Sequence, residues 1–330
     1  MKTNKQNKKQ NQNNKKKTIN NKKKYLINNW KEYNKSLVNR GNITFWIEDG
    51  SENKWYSEIL TKQGASRKYS DFAIKLVFQI GQVFGQRLRQ SEGLVKSIFK
   101  LMNIDLDVPN YTTICRRIGK IAIKIVKNID VSNDLVFIVD SSGLKVYGEG
   151  EWKVRKHGYS KRRTWRKFHL AISPNGEIRA SKLTDNNIDD ASVVSDLLDQ
   201  ENNPIEKFVG DGAYDKSKVY DVCLKKKIKE FLIPPQKNAK IWQHGNSKKE
   251  PHPRDENLRK IRKTNRKKWK IESGYHIRSI SENAIFRYKT IFGDKLKSRK
   301  NDNQNTEFLM NVNILNKMLE LGMPNSYAVG

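Results

Sequence analysis

LVFIVD, residues 135–140, runs five apolar residues into one acid, and its reading decides the fold. A short β-branched and aromatic run of this kind is a buried strand. An acid at its end stands where open α/β sheets place their sites. Four similar runs follow: KFHLAIS (167–173), EIRASKLT (177–184), KFVGD (207–211) and EFLIPP (230–235). A helix carrying Val193, Val194, Leu197 and Leu198 falls between the third and fourth strands, and a shorter one (216–227) between the fourth and fifth. Three consecutive strands, then helix, strand, helix, strand and helix predict an α/β fold with a mixed sheet. Asp140 ends the first strand and Asp211 the fourth, so neighbouring central strands would bring these two acids together.

Upstream the period is helical. Ser70 caps a helix marked by Ile74, Val77, Phe78, Phe84 and Leu88, in which Gly81 and Gly85 permit close approach of a neighbour. Ser91 caps a second helix with Leu94, Val95, Ile98, Phe99 and Met102, and Asn110 a third, YTTICRRIGKIAIKIVK (111–127). Two short helices joined by a turn, the second opening with Thr112, Thr113, Arg116 and Arg117, have the form of a helix-turn-helix, whose alternative is a plain three-helix packing module. Aromatic residues are frequent from Tyr25 to Trp55 and suggest a small ordered element. Residues 1–24 are Lys, Asn or Gln at 20 positions, which predicts a disordered tail. Residues 236–265, with Pro251, Pro253 and dense charge, read as an insertion or long loop. The expected division is therefore a tail (1–24), a helical DNA-binding domain (25–130) and a catalytic domain (131–330) with a basic insertion at about 236–265.

Net charge is +31, from 66 Lys and Arg against 35 Asp and Glu, and an excess of that size predicts a polyanionic partner. Two arginine-rich clusters strengthen the case for nucleic acid. Residues 153–167 hold eight basic side chains and no acid, Arg162 and Arg163 among them, and residues 254–270 hold nine. The 2 cysteines lie far apart and the 5 histidines form no ligand pair, which excludes a disulfide framework and a zinc site. No apolar run approaches the roughly 18 residues of a membrane helix, so a soluble cytoplasmic protein is expected.

Downstream, a continuous helix is expected at about 266–290. Within it Tyr275, Arg278, Glu282 and Lys289 sit at offsets 0, 3, 7 and 14. At about 100° per residue all four fall within an arc roughly 60° wide. The helix would carry Glu282 across from Asp140 and Asp211, and three carboxylates so gathered can hold divalent ions against a phosphate.

The segment YHIRSISENAIFRYK (275–289) resembles the signature beside the catalytic glutamate of bacterial DDE transposases of the insertion sequence five family: Tyr, two residues, Arg, three residues, Glu, six residues, Lys. VDSSGLKVYGEGEWKVRKHGYSKRRTWRKFHLAI resembles that family's first catalytic segment and GDGAYD its second, which assigns Asp140 and Asp211 rather than Asp215. FGDKLKSRK (292–300), the terminal LGMPNSY and the opening NWKEYNKSLVNRGNITFW are also similar to family features. Ile277 departs, standing where some relatives carry a basic residue. The resemblance implies an RNase H-like catalytic domain preceded by a helix-turn-helix-like N-terminal domain. It implies a transposase of nucleoid DNA that binds inverted-repeat ends and target DNA as a homodimer in a synaptic complex, with no membrane partner.

Both steps of such a reaction are in-line attacks on phosphorus, served by two divalent ions. An all-oxygen donor set suits Mg2+, with Mn2+ able to substitute. Asp140, Asp211 and Glu282 are the expected catalytic and metal-binding residues. Tyr275, Arg278, Lys289, Arg116, Arg117, Arg162 and Arg163 are the expected DNA contacts. A metal-dependent nuclease of the same fold and a DNA-binding regulator are the competing readings. A nuclease without target sites would not need the helical N-terminal region, and a regulator would be expected to lack one of the acids.

Overall fold

The computed structural model describes residues 24–47, 50–58, 67–127, 135–146, 165–243 and 250–329. The expected tail, up to residue 23, and Arg162 and Arg163 lie outside the described residues. The chain forms two compact units, one made of its two ends (up to Asn39 and from Gly322) and one spanning Arg40–Leu321. In the first, β1 (Lys24–Ile27) pairs antiparallel with β8 (Ser326–Val329), and Asn29 bonds the backbone of Met323 and Asn325 at 3.0 and 2.7 Å. Most of α1 (Trp30–Arg40) belongs to this unit.

The larger unit is a mixed α/β structure around a sheet ordered β4-β3-β2-β5-β6. These strands are β2 (Leu135–Val146), β3 (Trp165–Ile172), β4 (Ile178–Asp185), β5 (Ile205–Val209) and β6 (Glu230–Leu232). β2, β3 and β4 pair antiparallel, whereas β5 and β6 run parallel to β2. The five expected strands form, and the first is longer than its apolar run. The polar continuation SSGLKV stays in the sheet by pairing with β3 and with β7 (Lys295–Leu296).

Side chains alternate across the sheet as the period-2 rule requires. Phe137 and Val139 pack with α6 (Asp190–Leu198) and α7 (Ser217–Lys225) on one face. Phe168, Leu170 and Ile172 pack on the other against α10 (Ser279–Phe292) and α11 (Asn301–Glu320). This mixed sheet with helices on both faces is consistent with the expected RNase H-like domain.

The helical layer comprises α3 (Asp71–Val83), α4 (Leu88–Leu101) and α5 (Tyr111–Arg117), with the one-turn helix α2 (Ile43–Trp46) before them. Ser70 and Asn110 cap as expected, accepting from the amides of Ala73 (3.1 Å) and Thr112 (2.9 Å). Ser91 does not cap: α4 begins at Leu88, and Ser91 lies buried inside it. There it fills the space beside Gly81, where a Cβ would approach its hydroxyl to 2.1 Å. Gly85 instead takes a left-handed φ of +68° and turns the chain between α3 and α4.

Two helix expectations fail for identifiable reasons. The third helix ends at Arg117 with one 3-10 turn, and residues 121–127 form neither helix nor strand, because IAIKIVK alternates at period 2 rather than 3.6. Asn313 and Asn316 of α11 satisfy its backbone at Lys124 and Val126. The helix expected at 266–290 is broken at Gly274, whose φ of +69° separates α9 (Arg266–Glu272) from a 3-10 turn (Tyr275–Arg278) and α10. The 236–265 insertion is not all loop. It contains α8 (Pro253–Lys263), with Pro253 in the first turn, where a missing N–H costs nothing. Among the described residues no helix is long and apolar enough to cross a membrane.

Candidate active site

Asp140 lies midway along β2, on the same face as Ile138, which packs beside Val209, Trp269 and Tyr275. Its Oδ1 accepts from the Ser141 amide at 2.8 Å, and its Oδ2 from Ser281 Oγ at 3.0 Å and Arg278 Nη1 at 3.3 Å. Burial pushes its carboxyl above the usual carboxylate range; Asp211 acts in the same direction, against Ser141, Ser281 and Arg278.

Asp211 follows β5 by two residues. Ile138 is in register with Val209, so the two aspartates extend from adjacent parallel strands about 4.8 Å apart. Asp211 caps a 3-10 turn by accepting from the Ala213 amide at 2.8 Å. The turn closes over Gly210, where a Cβ would come within 2.9 Å of the Tyr214 ring.

Glu282 occupies the first turn of α10 and is exposed. It is paired with Arg278, whose guanidinium thus bridges Glu282 and Asp140. Lys289, two turns on, donates from Nζ to Ser142 Oγ at 2.6 Å. Ser142 is two residues beyond Asp140, on the same side of β2. The break at Gly274 takes Tyr275 off the expected helical stripe. Its ring is buried against Trp269 at a centroid distance of 5.8 Å, with Lys270 Nζ 5.2 Å from its centre. Burial pushes its phenol up to about 12; Arg278 opposes this, while the charges of Asp211, Asp140 and Glu282 add to it. One phenol therefore senses all three acids.

Around this centre stand polar residues absent from the sequence reading. Ser281 was legible in principle as the residue before Glu282 and one turn from Arg278, and Ser142 by its period-2 relation to Asp140. On the opposite face, Asp190 at the start of α6 meets Lys167 Nζ at 2.8 Å and the buried His169 Nδ1 at 3.3 Å. Burial works to raise the Asp190 carboxyl, yet His169, Lys167 and Ser141 hold it well below the usual range. Asp215, four residues past Asp211, is also buried. It takes Arg254 Nε and Nη2 at 2.7 and 3.2 Å, and Arg254 lies 3.9 Å from the Trp242 ring centre. This pair fastens the insertion to the turn that presents Asp211.

The other expected contacts divide. Arg116 is exposed, while Arg117 turns inward to the Tyr69 carbonyl at 2.6 Å and to Asp71. Among the described residues no three acidic, imidazole or thiol groups already form a metal cage. The donor chemistry nonetheless suits a hard cation. Two adjacent aspartates, one ionising against its burial, face a glutamate across an arginine that already supplies positive charge. Two family models, each described as a transposase DDE domain, match the chain, one over residues 132–317 and the other over 38–149.

Proposed function

The chain belongs to the transposase DDE domain family and is a DDE transposase, and from that premise we propose that it binds the inverted-repeat ends of its own insertion sequence, cleaves there, and joins the freed 3′ ends to target DNA. The observation that carries this reading is Asp140 on β2 beside Asp211 in the turn just past the adjacent parallel strand β5, with Arg278 linking Asp140 to Glu282. The signature at 275–289 supports assignment to the bacterial insertion sequence five family. A nucleoid location and a homodimer that holds both ends in one synaptic complex follow from that assignment.

DDE domains act on DNA and generally use divalent ions. Asp140, Asp211 and Glu282 would hold two, with Mg2+ favoured and Mn2+ able to substitute, supplying activation of the attacking oxygen and stabilisation of the leaving one. In the first step water attacks phosphorus, the bond from phosphorus to the transposon 3′ oxygen breaks, and that oxygen leaves as a hydroxyl. In the second this hydroxyl attacks a target phosphorus and displaces a target 3′ hydroxyl. Ser281 and the Ser141 amide fix the Asp140 carboxylate in one orientation. Arg278 and Lys289 would meet a phosphodiester entering the site with a guanidinium and a point charge. Tyr275, packed on Trp269, sets the path of the chain into Arg278 rather than reaching out to solvent.

Asp140→Asn, Asp211→Asn and Glu282→Gln should each abolish nicking and strand transfer on a duplex carrying an element end in Mg2+, with end binding in gel shift preserved. Cleavage without any joining would make the protein a nuclease, and near wild-type cleavage by any one variant would remove that residue from the site.

A further inference from the structure

We propose that a groove between α4 and α5 on one side and the turn from β7 into α11 on the other holds the sugar-phosphate backbone of duplex DNA, outside the catalytic centre and without reading sequence. This rests on the transposase reading and extends it to a second contact. The groove encloses about 810 Å³, and Arg89, Arg116, Lys297 and Lys300 are among its walls. Arg89, Arg116 and Lys300 are exposed. Arg89 lies 4.5 Å from the centre of the Tyr111 ring, a contact that holds its guanidinium plane in place before any ligand arrives.

Glu307, the acid among the lining residues, is buried and turned to backbone amides. It is 2% exposed, and its two oxygens accept from the amides of Lys297 and Ser298 at 2.8 and 2.7 Å. Its charge is spent on shaping the turn that carries the lysines. Lys297 stands against its own ionisation: burial lowers its ammonium below the ordinary value, Glu307 opposes this, and the neighbouring Arg87 lowers it further. A polyanion bound in the groove would favour the charged form of Lys297.

The location fits one continuous substrate. β2 runs from Asp140 to Val146, which pairs with Leu296 immediately before Lys297. Six residues of strand span about 20 Å, which is roughly six base pairs of duplex at 3.4 Å each. Only Arg116 of the Arg116–Arg117 pair faces this groove, because Arg117 is committed to Asp71 and Tyr69. The groove thus presents cations along an edge, as phosphate contact requires.

The test uses the full chain and fluorescence anisotropy over a salt series, with a duplex carrying the element end and a scrambled duplex. Each phosphate contact adds about 0.9 to the slope of log affinity against log salt. Combining Arg89→Ala, Arg116→Ala and Lys300→Ala should lower that slope by about 2–3 on both duplexes alike. The charge-conserving set Arg89→Lys, Arg116→Lys and Lys300→Arg should retain it. An unchanged slope in the alanine set overturns the groove and leaves the transposase reading intact. A loss confined to the element end would make these residues sequence readers and also overturns the proposal. Loss of slope in the charge-conserving set would do the same, because the effect would then be on folding. Salt-insensitive, equally weak binding of both duplexes by the unaltered protein would instead remove the DNA-end reading on which the groove rests.

Discussion

Asp140 ionises at a cost to the fold. Burial and Asp211 raise its pKa, so its contribution to stability is full below the ordinary carboxylate range and is lost as pH rises through the raised value. At neutral pH Asp140→Asn should therefore melt above wild type in a chelator, with the difference shrinking as the pH is lowered. Mg2+ should raise the melting temperature of the parent and leave that of the variant unchanged. Calorimetry with and without Mg2+ measures both, and a lower melting temperature for the variant would mean that Ser141, Ser281 and Arg278 use this carboxylate chiefly as a structural anchor. Arg278 invites a second measurement, since its guanidinium bridges two of the three acids. Arg278→Ala should bind Mn2+ more tightly by electron paramagnetic resonance titration while cleaving DNA more slowly, because it removes a competing cation along with the guanidinium proposed to meet phosphate. Weaker Mn2+ binding would show that the arginine organises the acids rather than competing for them. The positions of Asp140, Asp211 and Glu282 around one centre were legible because two end apolar runs and the third sits in a spaced signature. Asp190 and His169 were not, because a polar residue that meets its partner only through tertiary packing leaves no period in the sequence.

Most elements were legible from their apolar period, and the clearest failure lies at Gly274. Regular spacing of Tyr275, Arg278, Glu282 and Lys289 suggested one helix, yet a glycine without proline gives no sign in advance of whether it will adopt positive φ. Gly274 does, at +69°, and a Cβ there meets nothing within 4 Å. The cost of Gly274→Ala is thus conformational, about 1 kcal/mol, or roughly 1–2 °C at the unfolding entropy of an ordinary protein of this length. Cleavage should fall by more than that loss of stability accounts for, because Arg278 is displaced from Asp140. Unchanged cleavage at a lowered melting temperature would make the break a passive turn. The insertion supplies the complementary case: its composition read as loop, yet Pro253 opens α8 and carries Arg254 inward to Asp215. Arg254→Ala leaves a buried carboxylate unpaired and should destabilise by about 3–5 kcal/mol. Urea unfolding measures this, and a loss below about 1 kcal/mol, the range of an exposed ion pair, would mean that water reaches Asp215 once the arginine is gone.

At the scale of the whole molecule, α11 does what no segment of the sequence announced. Its Phe308, Val312 and Leu315 complete the core beneath the sheet, while its Met310, Ile314 and Met318 complete the core of the helical layer. Asn303 adds a bond from its side chain to the Cys115 carbonyl at 3.0 Å, and Gly119 lies so close that a Cβ would meet Asn303 Oδ1 at 2.2 Å. The sequence reading set a boundary at residue 130 because the apolar period changes there, and a change of period marks a change of element type without saying whose core an element joins. Burial of three apolar side chains at roughly 1.5–3 kcal/mol each supplies about 5–9 kcal/mol. That is a large part of the roughly 5–15 kcal/mol that holds an ordinary domain together. A fragment ending at residue 130 lacks all three, and its helical layer should show no cooperative thermal transition by circular dichroism and poor amide dispersion by NMR. In the full chain, Met310→Ala should destabilise by about 2–5 kcal/mol, and it should weaken DNA binding through the groove walls before it affects the carboxylates on β2 and β5. A cooperative melt and dispersed spectrum for the isolated fragment would establish that the helical layer folds alone, with α11 docking onto a finished domain.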